Sequence, residues 1–132
     1  MIGLDTNVLI RYLTQDDPRQ ARIANDIIDR RLSAERPGFI SVVTAAETAW
    51  VLRTYFKATK LEAAEAIEGL ISQDTVVVES VDDVVQAIED VRGLNADFAD
   101  ALISALGRRA GCQATLTFDR DAARLPGFQL AR

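Results

Sequence analysis

Apolar and polar positions recur along the chain with two periods, and the switches between them mark its elements. Residues 1 to 5 are short and apolar, and Thr6 and Asn7 then open a helical pattern through Val8, Leu9, Tyr12 and Leu13. A strand therefore passes into a helix with Asp5 at the junction. Asp16-Asp17-Pro18 stops that helix and starts another, because proline is tolerated in a first turn and acids suit a helix N-terminus. Ala24, Ile27, Ile28 and Leu32 follow at helical spacing, with Arg19, Arg22, Asp29 and Arg30 off that face. Pro37-Gly38 is a turn, and Phe39 to Val42 is a short strand feeding a helix over about residues 43–56. Lys60 to Ile71 is amphipathic, with Glu62, Glu65 and Glu68 on its wet side. The β-branched run Thr75 to Glu79 reads as a buried strand. Val84, Val85, Ile88 and Val91 make a helix closed by Gly93. Asp97 to Ala110 is a further helix, Ala114 to Thr117 a strand, Asp119 the start of a short helix, and Phe128 to Leu130 a last edge strand.

Strands alternating with helices define an α/β domain, expected over residues 1–132 as one unit. Its central sheet should be largely parallel, with four or five strands and helices on both faces. A hydrophobic share of 48% and a charged share of 27% exclude disordered and fibrous classes. No stretch reaches the roughly 18 uncharged apolar residues of a membrane span. The opening residues carry no basic region ahead of an apolar one, so no secretory signal is expected. Cys112 is the only cysteine, which excludes an internal disulfide and a multi-cysteine metal site and predicts a reducing, cytoplasmic setting. Histidine is absent, which removes imidazole bases, Ser-His-Asp and Cys-His nucleophile systems and histidine zinc sites together. Neither GxGxxG nor GxxxxGK[ST] occurs. Any catalysis falls to carboxylates, and a net charge of -5 argues against a protein that holds nucleic acid by charge alone.

Four acids stand where a solvated charge is not expected. Asp5 follows an apolar strand, Glu47 is the only charge in FISVVTAAETAWVL, Asp100 lies in DFADALISAL, and Asp119 follows the strand ending at Thr117. A parallel sheet gathers strand C-terminal ends and helix N-termini along one edge, so residues distant in sequence converge there. Clustered carboxylates repel one another and persist when protons or cations neutralise them. Oxygen donors without histidine or thiolate select Mg²⁺ or Mn²⁺, and the matching chemistry is metal-assisted phosphodiester hydrolysis.

Each acid also has a structural reading. Thr44 to Glu47 matches a capping box, Asp97 and Asp100 suit the start of a helix, and Asp119, with Asp121, would cap the helix behind it. Asp5 is hardest to assign to capping, because Thr6 and Asn7 stand beside it. Trp50 and Phe56, with Val51 and Leu52, are assigned to core or subunit contact rather than to base stacking. Arg30, Arg31 and Arg36, and separately Arg108-Arg109, form loose basic patches.

The segments IGLDTNVLIRYLTQDDP, SVVTAAETAWVL, ADFADALISALGRRAGC and ATLTFDRDAARLPGF, in this order, resemble the PIN-domain ribonucleases of the VapC toxin type over nearly the whole chain. The resemblance implies a PIN-like fold and a Mg²⁺- or Mn²⁺-dependent endoribonuclease. It further implies a toxin that a VapB-like antitoxin restrains, with a homodimer as the assembly. By position Asp5, Glu47 and Asp100 match the family's first three acids and Asp119 the fourth. Asn7 and Thr117 match supporting polar positions. Asp97 lies one helical turn before Asp100 and either joins the metal ligands Asp5, Asp100 and Asp119 or replaces Asp119. Arg11, Arg53, Lys57, Arg108 and Arg120 are the cations available to phosphate at the rim. A PIN-like DNA nuclease and a catalytically silent α/β interaction module are the alternatives.

Overall fold

The computed structural model describes residues 1–132. Five short strands form at the β-branched and apolar runs: β1 (Ile2–Gly3), β2 (Gly38–Ile40), β3 (Val76–Val78), β4 (Thr115–Thr117) and β5 (Phe128–Leu130). Every ladder is parallel, as the alternating order requires, but the strands divide into two sheets. One has the order β1-β2-β3, and β4 and β5 form a separate pair. The single sheet of four or five strands is thus corrected to three and two. The strands are only two or three residues long, so few ladder bonds are available to join the two groups.

Six α-helices fill the intervals: α1 (Thr6–Thr14), α2 (Pro18–Asp26), α3 (Val42–Tyr55), α4 (Lys60–Ile71), α5 (Val81–Leu94) and α6 (Phe98–Arg109). Polar residues just ahead of five of them accept backbone N–H bonds that the first turn cannot satisfy internally. Asp5, Asp17, Ser41, Thr59 and Asp97 play this part. A π-helical turn at Ile27–Arg31 extends α2, and Ile28 and Leu32 within and after it are both buried. Gly93 does not close α5. It is an exposed residue inside the helix, and Asn95 takes the left-handed conformation that ends it, with φ of 55°. The segment after Asp119 is a 3₁₀ turn at Ala122–Arg124 rather than an α-helix.

Twenty-one buried residues make one contiguous core, with Leu9, Ile40, Ile67, Val84, Ile88 and Phe98 wholly enclosed. Removing such side chains from water is the main stabilising term. Gly38 in β2 is needed for close packing, because a Cβ there would lie 2.8 Å from the side chains of both Leu4 and Leu32. The β4–β5 pair is tied to α6, where the Ser104 hydroxyl and the Arg108 guanidinium both donate to the Pro126 carbonyl. Gly127 follows at φ 87°, where a side chain would be strained and would meet Ser104 Oγ. No helix is long and apolar enough to cross a membrane.

Candidate active site

Helices α3, α4, α5 and α6 meet around a cavity of about 760 Å³, and three of the sequence-predicted acids line it. Asp97 caps α6, its Oδ2 accepting from the Asp100 backbone N–H at 3.3 Å while its Oδ1 pairs with Arg53 at 3.2 Å. Asp100 stands in the first turn of α6 and is half-buried. Asp119 reaches the cavity from the end of β4. Its Oδ1 accepts from the backbone N–H groups of Asp121 and Ala122 at 2.9 and 3.3 Å, and its own N–H donates to Thr117 Oγ1 at 3.0 Å. Thr117 therefore shapes the turn that carries Asp119. Burial, then the like charges of Asp97 and Asp119, hold the Asp100 carboxyl above the usual aspartate range, while Lys60 pulls it down.

Asp5 and Glu47 are elsewhere. With Thr6, Asn7, Arg11 and Tyr55 they line a second cavity of about 430 Å³. Helix α3 borders both, turning Glu47, Val51 and Tyr55 to this one and Arg53 to the other. Both acids are exposed, and so is Asp119 in the first cavity, so the expectation that these three are desolvated is corrected and only Asp100 of the four is partly buried. Asp5 is also the N-cap of α1, its Oδ1 accepting from Thr6 N–H at 2.8 Å, a role the sequence favours for its neighbours. The carboxylate suits that place because strand β1 delivers it directly to the helix's free N–H groups. Glu47 is not part of a capping box. Helix α3 starts earlier, at Ser41, whose Oγ accepts from Thr44 N–H at 3.1 Å, and the capping box of this chain is Thr59 with Glu62. Glu47 makes no hydrogen bond or ion pair. Thr6 Oγ1, beside Asp5, is the one buried side-chain polar atom without a partner.

The cations are redistributed as well. Arg11 is held by Gln20 and Asp16, Arg108 by Ser104 and Pro126, and Arg109 by Asp83. Lys60, which the sequence pattern does not single out, donates from Nζ to the Asn95 carbonyl at 3.1 Å and shares the larger cavity with Arg53 and Arg124. The acid that is fully buried is Asp83, 5% exposed and paired with Arg109 Nε at 2.7 Å. Its position was readable, since 83, 84, 87, 88 and 91 mark the inner face of α5.

All the acidic donors are oxygens, which suits Mg²⁺ or Mn²⁺, ions that bind through one or two carboxylates and retain water. No three acidic or thiol side chains surround one point at metal-binding spacing. The donors fit such an ion in kind, through one or two direct carboxylates completed by water, rather than as a closed cage.

A profile of the PIN domain matches residues 2–127, and the chain belongs to the PIN domain family. That places it among nucleases that typically depend on divalent metal ions. No curated protein matches the chain significantly.

Proposed function

We propose that this protein is a metal-dependent endoribonuclease, the toxin of a VapBC-like pair that works in the cytoplasm as a homodimer and is restrained by a VapB-like antitoxin. The observation that carries the nuclease reading is that Asp97 and Asp119 share one cavity with Asp100 in a PIN-family chain and help push the Asp100 carboxyl upward. A structural cap has no need of two like charges beside it. Asp100, with Asp97 or Asp119, would hold Mg²⁺ or Mn²⁺, and Asp5 would supply a further carboxylate from the second cavity. The bound ion would acidify water and offset charge on the phosphodiester as it is cleaved. Glu47, exposed and unpaired, is free to accept a proton from the attacking water. Asn7 lines the cavity of Asp5 and Glu47, and Thr117 fixes the turn of Asp119, so both support the acids. Arg53, Lys60 and Arg124 limit the repulsion in the larger cavity and offer cations to the phosphate.

The purified chain, given Mn²⁺ or Mg²⁺, should cleave RNA in preference to DNA of the same sequence, leaving 5′-phosphate and 3′-hydroxyl ends. Asp5→Asn and Asp100→Asn should abolish cleavage. Equal cleavage by all three proteins would mark a contaminant and end the assignment.

A further inference from the structure

Helix α3 turns an aromatic corner toward the cavity of Asp5 and Glu47. Tyr55 lines that cavity and is 68% exposed. Trp50 meets it edge to face, with ring centroids 5.8 Å apart and planes at 81°. This contact steadies the tyrosine ring without covering it, and Trp50 is itself 55% exposed. Of core or subunit contact, the two roles expected for Trp50, the core role is corrected by this exposure. Phe56, next along the chain, packs against the core and anchors the corner. Lys57 follows at φ 57°, exposed and in no ion pair, and Arg11 lines the cavity from the other side.

We propose that Tyr55 is a base-stacking platform for single-stranded RNA, receiving the nucleobase beside the phosphate being cleaved. The proposal rests on the nuclease reading and names the substrate form it selects. A single strand presents a phosphate and an unpaired π-face within one nucleotide, whereas a duplex hides its base faces in the stack. Aromatic rings flanked by cations are how proteins hold single strands without reading sequence. Here the ring, Arg11 and the acids border one cavity, with Lys57 two positions beyond Tyr55 in the chain, so a phosphate passing Asp5 and Glu47 leaves its base within reach of Tyr55. Ile10, Val51 and Phe56 give the cavity an apolar floor for a base face, while Asp5, Glu47, Asn7 and Arg11 at the same cavity offer partners for the hydrogen-bonding edges of a nucleobase.

The test uses the whole chain in EDTA, where binding is separated from cleavage. Trp50 is the only tryptophan, so its emission reports on the ring it touches. Fluorescein-labelled oligoadenylate should bind the wild type with a change in Trp50 emission, and a duplex competitor should displace it poorly. Tyr55→Ala and Tyr55→Leu should each weaken binding by about tenfold or more, the Leu variant because it keeps apolar bulk but no flat face, and Tyr55→Phe should bind as wild type. All three should melt as the wild type does, since the side chain is exposed. Wild-type affinity in the Leu variant, or a change of oligomeric state with RNA affinity unaltered, would overturn the proposal. The nuclease reading fails separately: it falls if the wild type shows no metal-dependent cleavage, whatever Tyr55 does to binding, and stands if the Tyr55 variants bind and cleave as the wild type does.

Discussion

The two cavities bordered by α3 hold the same kind of side chain in opposite electrostatic conditions. In the larger one burial and the charges of Asp97 and Asp119 displace the Asp100 carboxyl upward from its ordinary range, Lys60 opposes them, and Arg53 pairs with Asp97. In the smaller one Asp5 and Glu47 stand in solvent, Asp5 is satisfied by a helix N-terminus, and Glu47 is unengaged. The contrast separates two demands on a phosphodiesterase. Concentrated negative charge attracts a cation and is tolerable only with one. An open, wet carboxylate is accessible to water and substrate. The same residue type therefore does different work according to how far water and neighbouring charges are excluded.

The sharpest way to break this division is to neutralise one acid in each cavity. Asp100→Asn should lower metal-dependent cleavage by at least about two orders of magnitude, the scale of losing a group that stabilises transition-state charge. It should also abolish the rise in melting temperature that Mn²⁺ gives the wild type, because a ligand bound only by the folded state stabilises it. Glu47→Gln should lose cleavage and keep the thermal response. Equal loss of the thermal response in both variants would mean that the cavities act as one ion site.

Arg109→Ala is the next largest effect and serves as a control for burial without catalysis. It leaves Asp83, on the inner face of α5, without its cation, which should lower the midpoint of denaturant unfolding. The thermal response to Mn²⁺ should survive. A smaller effect concerns pH. The folded-state pKa of Asp100 is raised, so its ionisation penalises the fold fully above that pKa and ceases to do so as pH falls through it toward the unfolded value. Metal-free protein should gain stability over that window, and Asp100→Asn should show no such gain there and be the more stable form at neutral pH. Smallest of all, Asp5→Asn should change stability by no more than a few tenths of a kcal/mol, since asparagine caps a helix as well as aspartate does. Its loss of cleavage would then report the missing charge and not a damaged helix.

Most element positions were legible because period and punctuation agreed, as at Pro18, at Val76–Val78 and at the Asp97 cap. What escaped was set by geometry that no local pattern carries. The start of α3 was blurred because Ser41 and Thr44 are both competent caps, and only the backbone decides that Ser41 is outside the helix. The end of α5 was misplaced because glycine is the usual left-handed residue, yet Asn95 stands where the chain must turn into α6. For the site, the acids of α6 and β4 were found by their apolar sequence company, although in space they share a largely polar cavity with Arg53, Lys60 and Arg124. The same signal overstated Asp5 and Glu47, since apolar sequence neighbours on a helix point to other faces. Lys60 was invisible because its partner is a carbonyl from another helix, 35 positions away.

That last contact has an engineering consequence. Only Asn95, Ala96 and the cap Asp97 link α5 to α6, and Lys60 pins the link through the Asn95 carbonyl. The turn between Ser33 and Arg36 is closed by nothing beyond its own reciprocal backbone bonds and the Ser33 hydroxyl. A reporter peptide or a protease recognition sequence spliced in at Ala34-Glu35 would leave the acids in register, whereas even one added residue beside Asn95 would swing Asp97 and Asp100 away from Asp119.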